Sequence, residues 1–195
     1  MMINTRRGQA LGVCLPVVLA LLSLPGCARP KCEIELLSYK DPYFPEPYRV
    51  TFDTCVFRRD AGGDFHIAGL VTSSVEDQES ATITQYLCVH VFWKPYPGRT
   101  FANSTTNDAT IRYVIVTADG MAAYAGTGFI LPKLRRDKLL TATIENANLK
   151  LVAQTGNPAE ILGDARLTGT LQARRDDHQT IDLTRQLELY AAGEQ

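Results

Sequence analysis

The sequence lacks the short motifs that mark common catalytic and nucleotide-binding sites. It contains no GxxxxGK[ST] phosphate loop, no GxSxG nucleophile elbow, no HExxH, no CxxC and no GxGxxG. Each of these motifs places specific groups around a reacting or bound atom. Their absence removes the sequence-based grounds for assigning the chain to the P-loop nucleoside triphosphatases, serine hydrolases, zincins, dithiol oxidoreductases or dinucleotide-binding enzymes.

The chain also lacks any excess of positive charge. Its formal net charge is −1. Arg6 and Arg7 are the only charged residues before residue 27, so the remainder is slightly acidic. A nucleic-acid-binding domain normally carries a strong basic patch. The composition therefore gives no electrostatic reason to expect DNA or RNA as a partner.

A long hydrophobic run is missing too. The longest apolar stretch, residues 10–24, is interrupted by Gly12 and Pro16, and a membrane-spanning helix needs about 20 apolar residues. A short apolar run that follows Arg6 and Arg7 is typical of a secretory signal peptide. We therefore interpret residues 1–26 as a signal peptide.

The end of this segment, Leu24-Pro25-Gly26-Cys27, resembles the lipobox of bacterial lipoproteins. In that family an aliphatic residue stands at −3, a small residue at −1, and the cysteine becomes an acylated N-terminus. The resemblance implies removal of residues 1–26, fatty-acyl (palmitate) attachment at Cys27 and a lipid-anchored membrane protein. Lipid chains can hold a protein on a bilayer without a transmembrane helix.

Residue 28 is Ala rather than Asp. By the same resemblance this residue implies the outer membrane of a diderm bacterium, with the protein facing the periplasm. The alternative is an ordinary secretory signal that is cut after Ala28, in which case Cys27 would be discarded. We expect residues 27–32 to form a short tether and residues 33–195 to form a single domain.

Three cysteines remain after Cys14 leaves with the signal peptide and Cys27 takes the lipid: Cys32, Cys55 and Cys88. In an oxidising compartment an odd number predicts one disulfide and one free thiol. The sequence leaves the pairing open between Cys32–Cys55 and Cys55–Cys88.

Residues 85–93, QYLCVHVFW, are apolar at nearly every position. A strand that is apolar on both faces is normally covered on both sides, so we place this segment centrally in a sheet. About nine short strands with one short helical turn predict an all-β fold, either an antiparallel β-sandwich or a flattened barrel.

Several elements can be placed from local patterns. Residues 49–59 alternate as one strand, with Cys55 on its mostly polar face. Asp119-Gly120 predicts the turn of a hairpin over residues 111–131. Residues 157–163 predict the helical turn, and residues 180–190 the last strand.

One constellation suggests chemistry. By alternation, Cys55, His66, Cys88 and His90 project from the same side of their strands, and two thiolates with two imidazoles form a set that suits zinc. The alternative is that the cysteines form a disulfide and the histidines are hydrogen-bonded and partly buried. No other cofactor is indicated.

Aromatic residues cluster near proline-rich loops: Tyr43 and Phe44 in one loop, and Trp93, Tyr96 and Phe101 around another. Exposed aromatics on rigid turns can bind an envelope glycan or protein. Their more frequent role is to close the open end of a β fold. Both interpretations remain open on the sequence alone.

The sequence therefore predicts a cell-envelope lipoprotein whose domain binds or scaffolds a ligand without catalysis. The alternative is a zinc-binding envelope protein, or a hydrolase that uses the cysteine and histidine face.

Overall fold

The computed structural model describes residues 31–74, 82–92, 108–136, 138–158 and 162–192. These ranges contain nine strands and one helix: β1 (Cys32–Ser38), β2 (Glu46–Thr51), β3 (Thr54–Arg59), β4 (Phe65–Ser74), β5 (Thr82–Val91), β6 (Ala109–Thr117), β7 (Gly120–Arg135), β8 (Leu139–Gly156), β9 (Ala165–Arg175) and α1 (Asp177–Ala192). The described residues include no helix with the length and apolarity that a membrane crossing requires.

All nine strands belong to one sheet, which closes on itself. Strands β3 to β8 pair in chain order, and β9 joins β8 to β3. Every pairing is antiparallel except that of β3 with β9. Strand β1 pairs with the earlier part of β9, and β2 pairs with β1. The predicted all-β fold of about nine strands is confirmed, and it takes the form of a seven-stranded barrel with two additional strands.

Strand β5 has the central place that its sequence predicts. Leu87, Val89 and Val91 are buried inside the barrel. Tyr86 and Cys88 point outward and pack beneath α1. Because one face meets the barrel core and the other meets the helix, the strand is apolar at almost every position.

The prediction of a final strand over residues 180–190 is wrong, because this segment lies within α1. Leu183 and Leu187 fit alternation and helical spacing equally well, but only the helix also buries Thr180. The carboxylate of Asp176 accepts a hydrogen bond from the backbone N–H of Gln179 at 2.9 Å and thereby caps the helix N-terminus. Ile181 and Leu189, assigned inward by alternation, are 42% and 46% exposed.

The two ends of the predicted helical turn over residues 157–163 are not helical. Residues 157–158 and 162–163 belong to no regular element. Residues 159–161 lie outside the described part of the chain. The helical content of the described residues is therefore in α1.

Residues 49–59 form two strands rather than one, because the chain leaves the sheet at Phe52 and Asp53. Val50 and Phe52 are buried in the barrel core, and so are Cys55 and Phe57. The inward positions thus change from even to odd numbers across the break. A shift of one residue moves every following side chain to the other face, so the prediction that Cys55 projects outward is wrong.

The β6–β7 hairpin is confirmed, but its turn lies one residue earlier than predicted. Thr117 pairs with Gly120, so the two turn residues are Ala118 and Asp119. Gly120 is needed for a different reason. Its φ is +148°, and a Cβ there would lie 2.0 Å from the carbonyl oxygen of Thr155 on β8.

Gln85 is a polar residue buried among the inward-facing side chains of the barrel. Gln85 is 4% exposed. Its amide nitrogen donates to the hydroxyl of Tyr48 at 3.0 Å, and its amide oxygen accepts from the hydroxyl of Tyr113. These bonds satisfy an amide that would otherwise be costly to bury, and they join β2 to β5 and β6.

Cys32 and Cys55 form a disulfide, and Cys88 is the free thiol among the described cysteines. The prediction of one disulfide and one free thiol is confirmed. The bond connects the first residue of β1 to β3. It therefore links the additional strands to the barrel close to the point where β9 and β3 close it.

The disulfide should contribute substantially to stability. It closes a loop with a sequence separation of 23, for which restriction of the unfolded chain predicts about 3 kcal/mol. We expect the Cys32→Ala/Cys55→Ala variant to unfold at lower denaturant concentration by this amount. Dithiothreitol should destabilise the wild type similarly and leave the variant unchanged. An equal effect of the reductant on both proteins would contradict this assignment.

The packing of α1 on the barrel can be tested with two leucines of the same helix. Leu187 is 0% exposed and Leu189 is 46% exposed. We expect Leu187→Ala to lower the free energy of unfolding by about 2–4 kcal/mol through the cavity it leaves. Leu189→Ala should change it by less than about 0.5 kcal/mol. Equal effects in urea denaturation would show that α1 is not docked as described.

Candidate functional site

The turn between β3 and β4 holds a carboxylate in a fixed position. The backbone N–H of Asp60 donates to the carbonyl oxygen of Asp64 at 3.1 Å, and that of Gly63 donates to the carbonyl oxygen of Asp60 at 3.1 Å. The N–H of Asp64 donates to Oδ1 of Asp60 at 3.0 Å. Gly63 permits the turn because its φ is +93°. With Oδ1 engaged, Oδ2 of Asp60 is free to face the neighbouring strand.

Two histidines lie beside this turn. His66 on β4 and His90 on β5 are direct cross-strand partners. Their rings stack with centroids 4.1 Å apart and an interplanar angle of 15°. The ring of Phe92 contacts the other side of His90, with centroids 4.2 Å apart. This packing orients both imidazoles.

Each imidazole contacts a carboxylate through the same ring nitrogen. Nε2 of His66 lies 3.1 Å from Oδ2 of Asp60, and Nε2 of His90 lies 3.4 Å from Oδ2 of Asp64. One ligand atom from each of Asp60, His66 and His90 lies within 4.8 Å of the others. We call Asp60, His66 and His90, together with the adjoining Asp64, the histidine–aspartate cluster.

The local electrostatics favour a charged carboxylate beside a neutral imidazole. The hydrogen bond from His66 lowers the pKa of Asp60 below its ordinary value. Burial lowers the pKa of His66, and this effect outweighs the opposing influence of the Asp60 hydrogen bond. Neutral imidazole and ionised carboxylate are the protonation states in which these groups bind metal ions.

Asp64 has an unusual environment for a charged residue. Its side chain is 17% exposed. Its Oδ1 atom is buried and makes no hydrogen bond within the described residues. A buried carboxylate oxygen without a partner is costly. The chemistry of the surrounding donors, two imidazoles and a second carboxylate, suits a divalent cation.

The two cysteines predicted as metal ligands do not belong to this cluster. Cys55 is in the disulfide with Cys32 and faces the barrel core, so it cannot bind a metal. The thiol of Cys88 lies beneath α1 and donates to Oγ1 of Thr184 at 3.7 Å. Burial raises the pKa of Cys88 to about 11, so the thiol carries its proton at neutral pH. Of the four predicted metal ligands, the structure brings only His66 and His90 together.

Asp60 and Asp64 were not among the site residues predicted from the sequence. Both flank Ala61-Gly62-Gly63, whose adjacent glycines are typical of a hairpin turn. A hairpin turn brings its flanking residues beside the first residues of the returning strand. Two aspartates around a turn, followed closely by a strand histidine, were therefore an available signal.

A groove of about 240 Å³ adjoins the two histidines on the side of α1. Beside His66 and His90 it is lined by Arg58, Arg112, Thr110 and Glu188, among others. Glu188 pairs with Arg112 at 3.5 Å. Arg58 is the cross-strand partner of His66 and forms no ion pair with any described carboxylate. The groove therefore combines charged side chains with apolar ones such as Ile67 and Val89, and it is open to solvent.

The aromatic candidates separate into two groups. Tyr43 and Phe44, between β1 and β2, are 87% and 74% exposed. They do not close the barrel end, and that interpretation is wrong for this pair. Trp93, Tyr96 and Phe101 lie outside the described residues, as does Cys27.

Comparison with known proteins gives no relative from which a role for this cluster could be taken. No family model matches the chain, no curated protein is similar to it, and no solved structure resembles it.

Proposed function

We propose that this protein is a lipid-anchored component of a bacterial cell envelope whose barrel domain binds a divalent transition metal, with zinc the best match. The observation that carries the metal assignment is the convergence of Asp60, His66 and His90 within 4.8 Å. The lipid anchor is supported by the sequence around Cys27.

The residues present fit a zinc ion. Zinc takes imidazole nitrogen and carboxylate oxygen at about 2.0–2.2 Å, commonly with four ligands in a tetrahedron. His66, His90 and Asp60 supply three ligands, and Asp64, whose Oδ2 lies 3.4 Å from Nε2 of His90, is the candidate for the fourth. A metal held by these residues would take the place of the proton in the contact between each Nε2 and its carboxylate.

The fourth ligand distinguishes binding from catalysis. A structural or storage site is closed by protein ligands, whereas a catalytic zinc keeps one position for water. Because Asp64 lies next to His90 and has an unpartnered oxygen, we favour a closed site with two histidines and two aspartates. This arrangement supports a binding role over the hydrolase alternative.

The first test measures zinc affinity by competition with a chromophoric chelator, using detergent-solubilised full-length protein. We expect His66→Ala and His90→Ala each to weaken binding by more than about 100-fold, because even outer residues of a metal site contribute 10–100-fold. His178→Ala is the matched control, because His178 is an exposed histidine on α1.

Unfolding curves in the presence of EDTA should show that the two site variants remain folded. Zinc binding that is unchanged in both variants, or no stoichiometric zinc in wild-type protein purified without chelators, would overturn the metal assignment. The aspartate–histidine contacts would then be structural hydrogen bonds.

The second test concerns the anchor. We expect the wild-type protein, extracted from the membranes of a diderm bacterium, to begin at residue 27 and to carry fatty-acyl mass in intact-mass spectrometry. Cys27→Ala should remove both features, because the thiol is the attachment point. Cys14→Ala is the matched control, since Cys14 lies within the predicted signal peptide and should not affect processing. An unacylated mature protein that begins after Ala28 would show an ordinary secretory signal instead.

A further inference from the structure

The described residues of the barrel have opposite charge at its two ends. The ends of β3, β7 and β9 and the turn before β8 bring six basic residues together: Arg58, Arg59, Arg135, Lys138, Arg174 and Arg175. Arg174 and Arg175 of β9 pair with Val56 and Phe57 of β3. Arg174 also pairs with Leu139 of β8, and the N–H of Arg175 donates to the carbonyl oxygen of Lys138 at 3.0 Å. We call this end of the barrel, with the six residues, the basic end.

Most of this positive charge is not neutralised within the described chain. Of the six residues only Arg175 forms an ion pair with a described carboxylate, Asp177 at 3.3 Å. The described acids at this end, Asp60, Asp64, Asp176 and Asp177, are fewer than its basic residues, so an excess of positive charge remains. Five of the six basic residues are exposed, and Arg58 is half-buried.

The opposite end has the reverse character. The described loops there contain Asp41, Asp119 and Asp164, with Lys40 and Arg166 as nearby cations. The N–H of Tyr39 donates to the carbonyl oxygen of Asp164 at 2.8 Å, which places the end of β1 beside the start of β9. The chain as a whole is close to neutral, so the two ends differ through placement rather than composition.

The start of the described chain lies beside the part of β9 that leads to the basic end. β1 is antiparallel to β9, and Cys32 pairs with Leu171. The carbonyl oxygen of Lys31 accepts from the N–H of Gln172 at 3.0 Å. Following β1 backwards therefore leads along β9 towards Arg174 and Arg175. Five residue steps separate Cys32 from Cys27, a span of at most about 17 Å.

From this placement we propose that the basic end is a membrane-docking surface that binds the anionic headgroups of the bilayer carrying the lipid anchor. The orientation rests on the proposed acylation at Cys27. Basic residues next to a lipid anchor strengthen attachment to anionic bilayers, because their attraction adds to that of the acyl chains. Docking in this orientation would place the histidine–aspartate cluster on the membrane side and Tyr43 and Phe44 on the far side.

The test uses acylated full-length protein in vesicles of phosphatidylcholine, or of phosphatidylcholine mixed equally with phosphatidylglycerol. A dye is attached at Lys138→Cys or, as the matched site at the other end, at Tyr43→Cys. Cys88 is half-buried beneath α1, and its raised pKa should make the thiol react slowly. Headgroup quenchers then report which end lies near the bilayer. We expect stronger quenching at residue 138 than at residue 43, a larger difference with phosphatidylglycerol, and loss of that increase at high salt.

Charge variants identify the residues responsible. Arg135→Gln/Arg174→Gln should lower the ratio of docked to undocked protein in phosphatidylglycerol vesicles by about 10–30-fold. Lys40→Gln, at the opposite end, should leave the ratio unchanged. Equal quenching at both positions, or quenching that is independent of lipid charge, would overturn the docking surface. Failure of the wild-type protein to associate with vesicles at all would instead contradict the lipid anchor.

Discussion

The hydrogen bonding of β9 holds the architecture together. This strand pairs with β8 along one edge and with β1 and then β3 along the other. The closing contact with β3 involves only two residue pairs. Such a short parallel contact is weak by itself. The neighbouring disulfide between Cys32 and Cys55 ties β1 to β3 and so supports closure from the side.

The same closure determines where the chemistry lies. β3 leads directly into the turn that carries Asp60 and Asp64, and the next strands supply His66 and His90. The cluster therefore combines a backbone-fixed carboxylate with two imidazoles held by sheet register. Groups positioned in this way need little reorganisation to receive an ion. The proposed membrane-docking surface includes the end of β3, which leads into this turn, so the histidine–aspartate cluster and the docking surface are neighbours.

Patterns within single strands could be predicted from the sequence, and relations between elements could not. The two apolar faces of β5 correctly predicted its central place, and the cysteine count correctly predicted one bridge and one free thiol. The outward placement of Cys55 failed because alternation cannot detect a break at Phe52 and Asp53. The prediction of a strand over residues 180–190 failed because Leu183 and Leu187 fit both the strand period and the helix period. In that segment, the N-terminal cap at Asp176 distinguishes a helix from a strand.

The candidate site was half predictable for the same reason. His66 and His90 fall on one face by alternation, and the structure pairs them. Their carboxylate partners come from a turn, where side-chain direction depends on local hydrogen bonds rather than on a period. Cys88 shares their face, but α1 covers it. A covering element of this kind could not be anticipated once residues 180–190 had been interpreted as a strand.

The buried amide of Gln85 has a consequence for the precision of the fold. Aliphatic side chains in the core could tolerate a strand that slides along its neighbour, because one branched chain can replace another. An amide with a donor end and an acceptor end cannot, because each end requires its own hydroxyl, from Tyr48 and from Tyr113. Sliding β5 by one position would turn the amide out of the core and leave two phenols without it. This polar trio therefore penalises misaligned barrels and helps to select a single strand alignment.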